Sequence, residues 1–298
     1  MSDNIENPPK RRWGDRRDGR RVKAPGLQTI MSYLMPKRTD CEVYLSDTID
    51  ATALVAYLEK KNASHPEYKT TVFHCFLTGL ARMVRERPKM NRFIQGWRMY
   101  ERYEISMSFV AKRRFSDGAD EALMVLVPKD TDALDDISRK IVGDVRETRK
   151  SETATGGVDA IMDTLAKLPR LPLALIVRIV RWLDFWGVNP RFLTEGDPNY
   201  TTLFCSNLGS IRCPAVYHHL NNYGTNSIMI TLGTLHKEKL LMPDGTEEIR
   251  DVLDVGATLD ERIADGFYFA RSLRLIKHIF AHPELLDRPL GEPSDFEY

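Results

Sequence analysis

Apolar and polar residues recur along the chain with two periods, one typical of strands and one typical of helices. Residues 42–50 alternate as in a half-buried strand, and Asp50 is placed to cap the helical run 51–63 that follows. Apolar residues spaced three and four apart predict a second helix over 69–88, which Pro88 ends. The pattern therefore predicts a strand followed by two helices.

The same two periods continue through the rest of the chain. The turn residues 116–118 join two strand-like runs, 103–114 and 120–130, and a polar helix follows over 133–150. Three more strands are predicted over 201–211, 227–235 and 253–260, and a closing helix over 266–286. Because strands and helices are intermixed, the pattern predicts a single mixed α/β domain.

Two segments depart from this pattern. Residues 1–24 are polar and rich in arginine and lysine, which predicts a flexible basic arm. The second is an insertion at about 155–195, which contains the apolar run 168–187 and follows a linker composition that begins at 151 and ends at 157. Arg178, Arg181 and Asp184 interrupt that run, so it is too short and too charged to cross a bilayer.

The run 168–187 has two open interpretations if it is a helix. Arg178 and Arg181 share one narrow face, and apolar side chains cover the rest. The helix is either buried against the core or a neighbouring subunit, or it lies on a membrane surface with the basic arm bound to anionic lipid.

Composition narrows the function classes. The 43 basic residues nearly cancel the 42 acidic ones, so no overall field favours nucleic acid, and no aromatic-interleaved motif accompanies the basic arm. The four cysteines lack paired spacing and the first residues lack an apolar signal segment. We expect a cytoplasmic protein, with peripheral contact to a membrane as the alternative.

The segment 258–273 concentrates charge in a turn between a strand and a helix. Asp265 stands where a helix N-cap belongs, and a catalytic or site-orienting function is the alternative. Glu261 has no such local function, so it either faces solvent or points into a cleft. In a dry cleft, desolvation raises the pKa of a glutamate towards that of a general base, whereas Arg262 opposes this shift.

These residues carry a resemblance to a known superfamily. The turn resembles the Asp-His-Arg-x-x-Asp-Gly motif of 2-oxoacid dehydrogenase acyltransferase cores, with Asp260, Arg262, Asp265 and Gly266 matching and Glu261 standing in place of the histidine. The Ser-Asn-Leu-Gly segment of those cores resembles 204–211. Similarity covers most of 42–286.

The resemblance implies the chloramphenicol acetyltransferase-like fold, a mixed sheet flanked by helices, over a catalytic domain at 25–290 with a tail at 291–298. It also implies a homotrimer or a higher assembly of trimers, with each active site between subunits. The expected reaction moves an acyl group between coenzyme A, or another thiol, and a small-molecule acceptor.

Residue roles follow from the same resemblance. Glu261 takes the place of the base, and Ser206 donates a hydrogen bond to the oxyanion. Asp265 orients the turn through an arginine, either Arg20 or Arg21.

Further candidates are assigned to substrate binding. They are Asn207, Arg262, His218 and His219. The two histidines are expected on a strand, where one of two adjacent residues must face inward. The alternative for both is a surface or interface histidine whose ring nitrogens are hydrogen-bonded. His74 is expected to be a hydrogen-bonded core residue. No cluster of histidines and cysteines has metal-ligand spacing, so no metal is predicted.

Three departures from the family pattern bear on activity. The base is a glutamate, the run 168–190 fills a place that is short in the family, and no lipoyl or subunit-binding domain precedes the core. The pKa of a glutamate carboxyl group is about four units below that of a thiol. A complete proton transfer from the thiol to the carboxylate therefore costs about 5–6 kcal/mol. A catalytically inactive homologue that acts as a scaffold is therefore the alternative to an active acyltransferase.

Overall fold

The computed structural model describes residues 15–64, 66–112, 121–150, 164–194 and 196–297. The predicted turn 116–118, the linker 151–157 and the first residues of the basic arm lie outside this part of the chain. The described strands are β1 (Gly19–Arg21), β2 (Glu42–Asp50), β3 (Arg92–Gln95), β4 (Arg98–Arg102), β5 (Met107–Lys112), β6 (Glu121–Leu126), β7 (Leu203–Asn207), β8 (Ile228–Leu241) and β9 (Glu247–Asp260). The principal helices are α1 (Gly26–Leu34), α2 (Thr52–Asn62), α3 (Val72–Glu86), α4 (Leu134–Lys150), α5 (Arg170–Phe185) and α6 (Gly266–Ala281).

A mixed sheet occupies the centre of the molecule. Its strand order is β2-β9-β8-β7-β5-β6. Strand β7 runs parallel to both β5 and β8, and the other neighbours are antiparallel. Helices α2, α3, α4 and α6 pack together and against this sheet. The predicted α/β architecture, a mixed sheet flanked by helices, is confirmed.

Helix α3 is the most buried helix of the core. The hydroxyl of Thr71 accepts the N–H of His74 at 3.4 Å, so the helix begins at Val72, after its N-cap. Phe76 meets Phe280 of α6 edge to face at 6.0 Å. The helix ends just before Pro88, as predicted.

The predicted flexible arm is too long, because its described part belongs to the folded domain. Residues 19–21 form β1, which pairs with β4 in a second, three-stranded sheet. Arg16 is buried and its guanidinium binds Asp18 at 2.8 Å and Asp184 of α5 at 2.9 Å. Long-range ion pairing, which local composition does not reveal, orders this segment.

At the other end of the chain, Ser294 of the predicted tail is buried and donates to Glu86 at 2.7 Å.

Helix α5 confirms the helical prediction for the apolar run, and most of it is not buried against the core of its own chain. Burial against a neighbouring subunit and contact with a membrane surface both stay predictions. Its last turn is fixed by Asp184, which is buried and accepts hydrogen bonds from Arg16, Gln95 and Asn189. Its outer face is apolar and exposed, with Leu171 81% and Trp182 60% accessible. One end of the helix is therefore held in the core while an apolar stripe faces outward.

Candidate active site

The β9–α6 turn joins the end of the central sheet to the closing helix. Strand β9 ends at Asp260, and the carboxylate of Asp265 accepts the N–H of Tyr268 at 2.8 Å. Asp265 is therefore the N-cap of α6. Within the described residues, neither Arg20 nor Arg21 forms an ion pair with Asp265, and Arg20 instead binds Glu101 at 2.7 Å.

A buried ion pair holds the turn. The guanidinium of Arg262 donates to Asp260 at 2.6 and 2.8 Å, and it also donates to the carbonyl of Met35 at 2.9 Å. Both side chains are almost fully excluded from solvent. Arg262, a predicted substrate-binding residue, therefore uses three hydrogen bonds to hold the turn in place.

Glu261 sits between the two members of this ion pair. Its backbone N–H donates to the carbonyl of Cys41 at 3.0 Å, which fixes the main chain, and its side chain is half-buried. The carboxylate accepts no hydrogen bond from any described residue. Burial raises the pKa of the neighbouring Cys41 thiol to about 11, so that thiol stays protonated at neutral pH. Glu261 is thus the carboxylate of this turn that stays outside its buried ion pair.

The Ser-Asn-Leu-Gly segment spans the end of β7 and the short helical turn Leu208–Ile211 that follows. Ser206 pairs with Thr231 of β8, and the side chain of Asn207 accepts the N–H of Ser210 at 3.2 Å. A Cβ atom on Gly209 would lie 2.5 Å from the carbonyl oxygen of Gly233, so only glycine fits there. Asn207 and Gly209 shape the loop that follows Ser206.

Ser206 and Glu261 lie far apart within one chain. The register places Ser206 beside Thr231 and Thr231 beside Gly256. Glu261 is five residues beyond Gly256, which corresponds to about 17 Å along the strand and about 10 Å across two strand spacings. The predicted oxyanion donor and base therefore do not meet inside a single chain.

The placement of His218 and His219 on a strand is wrong. Both lie in an irregular segment before β8 and both are exposed. Each ring contacts a backbone carbonyl of the following residue, at 2.9 and 3.0 Å. The strand prediction failed because this segment hydrogen-bonds to side chains of β2 and β8, whereas strand periodicity assumes a backbone partner in a sheet.

Sequence reasoning missed the contact that brings this segment to the turn. The N–H of Leu220 donates to Glu42 at 2.5 Å, and Glu42 pairs with Asp260. The histidine segment therefore approaches the Glu261 end of the sheet. No local sequence signal links Leu220 to Glu42, because they are 178 residues apart.

No protein-family model matches the chain, and no curated protein sequence matches it. Among solved structures, a probable dihydrolipoamide acetyltransferase from Listeria monocytogenes is 17% identical with a TM-score of 0.58, covering 93% of this chain and 97% of that protein. The Azotobacter vinelandii dihydrolipoamide acetyltransferase, described for the catalytic roles of a serine, a histidine and an asparagine, is 15% identical with a TM-score of 0.57, covering 90% and 93%.

A third similar structure is the cubic core of a pyruvate dehydrogenase multienzyme complex. It is 14% identical with a TM-score of 0.52, and the match covers 90% of this chain and 93% of the other. At such identities the likeness is one of fold, and it extends over almost the whole of each protein. The chain therefore has the fold of the dihydrolipoamide acetyltransferases, as the resemblance of its motifs predicted.

Proposed function

We propose that this protein is an acyltransferase that moves an acyl group between coenzyme A, or another thiol, and a small-molecule acceptor. The observation that carries this proposal is the β9–α6 turn. There the buried Asp260–Arg262 pair holds the half-buried Glu261 on a fold used by acetyltransferases.

The proposed chemistry assigns one step to each side chain. Glu261 takes the proton from the acceptor thiol or hydroxyl, whose sulfur or oxygen attacks the carbonyl carbon of the acyl thioester. Ser206 donates a hydrogen bond to the resulting oxyanion, an interaction whose loss costs about 2.7–4 kcal/mol in acyl transfer. Collapse of the tetrahedral intermediate breaks the carbon–sulfur bond, and the departing thiolate recovers the proton.

An assembly of subunits supports this chemistry. Because Ser206 and Glu261 are well separated in one chain, a site containing both needs a second copy. The similar structure that forms a cubic core indicates that this fold supports self-assembly. We infer a homotrimer, or a higher assembly of trimers, in which Glu261 of one subunit faces Ser206 of the next.

The test is an acyl-CoA transfer and hydrolysis screen of the wild type and Glu261→Gln. Glu59→Gln, an exposed glutamate on α2, is the matched control. Activity that disappears only in Glu261→Gln supports the proposal. Absence of activity in the wild type, together with a gain in Glu261→His, supports a degenerate site.

The second candidate is a non-catalytic interaction protein at the cytoplasmic face of a membrane. The exposed apolar stripe of α5, which includes Leu171, Leu175 and Trp182, favours it because such stripes with arginines bind interfaces. None of the described helices is long and apolar enough to cross a bilayer. Flotation with anionic vesicles tests this candidate: Trp182→Gln should reduce binding, and a wild type that does not float would contradict it.

A further inference from the structure

A cleft of about 270 Å³ opens beside the β9–α6 turn. Its lining combines four cationic side chains, one carboxylate and several aromatic and apolar groups. The cations are Lys37, Arg38, Arg181 and Arg262, and the carboxylate is Asp184.

One buried arginine beside this cleft has no ion-pair partner among the described residues. Four buried arginines lie in this region, and three of them pair with aspartates. The pairs are Arg262 with Asp260, Arg16 with Asp184 and Asp18, and Arg102 with Asp18. Arg38, which is 4% exposed, forms no ion pair with any described residue. Arg38 is therefore a buried positive charge without an ion-pair partner among the described residues, and burying an unpaired charge is costly.

Arg38 also lacks acceptors for several of its hydrogen-bond donors. Its Nη2 donates to the carbonyl of Ile94 at 2.8 Å and to the side-chain oxygen of Gln95 at 3.2 Å. A guanidinium has five N–H donors, so three have no acceptor among the described residues, and the Nε is buried without one. Burial lowers the pKa of Arg38 to about 10, which leaves it charged at neutral pH.

The carboxylate of Asp184 does not supply the missing charge. Its oxygens accept from Arg16 at 2.9 Å and from Gln95 and Asn189 at 2.5 Å. Gln95 thus separates Asp184 from Arg38 and bonds to both. Lys37 and Arg181 are exposed and add two further positive charges to the lining.

An aromatic group stands at the same cleft. Gly96 and Trp97 form the two-residue turn between β3 and β4, with φ of 58° and 60°. A tryptophan in this left-handed conformation is strained, and its ring is held between Tyr33 at 5.0 Å and Phe185 at 4.8 Å while 44% of it stays exposed. The turn therefore keeps a large aromatic face available next to the cations.

We propose that this cleft binds a small organic anion, a carboxylate or phosphate attached to a flat apolar group. The anion neutralises Arg38 with help from Lys37 and Arg181, and the flat group packs on Trp97. This site needs neither acyl transfer nor a second subunit, so it stands apart from the proposed function.

Isothermal titration calorimetry of the full chain at low salt tests this site, with phenyl phosphate and benzoate as probes. Arg38→Met should weaken binding about 10- to 100-fold, because charge-assisted hydrogen bonds are lost. Arg181→Gln should weaken it by a smaller factor. The control Arg178→Gln, on the same helix but outside the cleft, should bind like the wild type.

The two probes identify the preferred anionic group, and inorganic phosphate tests the contribution of the flat group. Phenyl phosphate should bind more tightly than inorganic phosphate, and equal affinities would contradict the use of Trp97. Lack of binding of both aryl probes by the wild type overturns the proposal. Unchanged affinity in Arg38→Met or in Arg181→Gln also overturns it, and the second variant, at an exposed position, keeps the test valid if the first does not fold.

Discussion

Individual side chains in the β9–α6 turn have separable functions. Asp260 and Arg262 neutralise each other inside the protein, Asp265 caps the following helix, and Glu261 has neither task. The buried pair and the cap hold the turn without any contribution from the Glu261 side chain. Under the proposed function, the residues that hold the turn and the proposed base are therefore different residues.

Asp265→Ala should lower the free energy of unfolding by about 1 kcal/mol, because the N–H of Tyr268 loses its acceptor. Asp265→Ser, which retains a capping oxygen, should stay close to the wild type. Urea unfolding followed by circular dichroism measures both. Equal losses in the two variants would show that the carboxylate has a function beyond the cap.

His74 should make the protein sensitive to acid. Burial lowers its pKa from 6.5 to about 4 in the folded chain. The unfolded chain therefore takes up the proton first as the pH falls, and stability decreases between about pH 6.5 and pH 4, by up to about 3 kcal/mol.

His74→Gln should remove this part of the acid sensitivity. Glutamine three residues after Thr71 preserves the capping box that His74 makes with it. Unfolding free energies at pH 7 and pH 4.5 measure the effect. The same pH dependence in both proteins would rule His74 out as its source.

At the scale of elements, helix α5 is fixed at one end and presents an apolar surface along its length. Asp184 connects it to the segment before β1, to β3 and to the loop before β7 through buried hydrogen bonds. The outer residues make little contact with the rest of the chain, and Trp182 is 60% exposed. The helix is thus positioned by polar contacts, while its apolar stripe stays exposed in the single chain.

Asp184→Ala should therefore destabilise the chain by at least about 2 kcal/mol, because buried donors lose their acceptor. Trp182→Ala should change the unfolding free energy of the monomer by less than about 0.5 kcal/mol. Chemical unfolding at low protein concentration compares them. A large loss in Trp182→Ala would indicate that the outer face is already covered by another subunit.

At the scale of the whole molecule, the separation of Ser206 and Glu261 links activity to assembly. If the site lies between subunits of a trimer, Ser206→Ala and Glu261→Gln should each be inactive alone. Mixed trimers formed by refolding the two variants together at equal amounts should recover about a quarter of the wild-type activity, since one interface in four receives both intact residues.

Activity of the mixture measures this prediction, with native mass spectrometry to verify subunit exchange. Ser206→Ala mixed with itself is the control. Recovery of no activity despite exchange would place both residues' functions within one chain or exclude them from catalysis.

The amino-acid sequence by itself determined the elements and the motif. Periodicities of two and of about 3.6 residues arise from local backbone geometry, so β2, α3, α5 and the β9–α6 turn could be located from residue order alone. The acyltransferase-like fold followed from two motifs, at 204–211 and at the turn. These features depend on neighbours in the chain.

Only the tertiary structure decided which charges meet. Asp265 was expected to bind an arginine, yet the buried arginine of the turn pairs with Asp260, and Arg16 of the supposed arm pairs with Asp184. The lack of an ion-pair partner for the buried Arg38 among the described residues became visible only in the folded structure. Burial and ion pairing depend on residues that are distant in sequence. The free energy of a buried charge depends on whether folding brings an opposite charge next to it. The order of residues alone therefore does not reveal which charges are buried or paired.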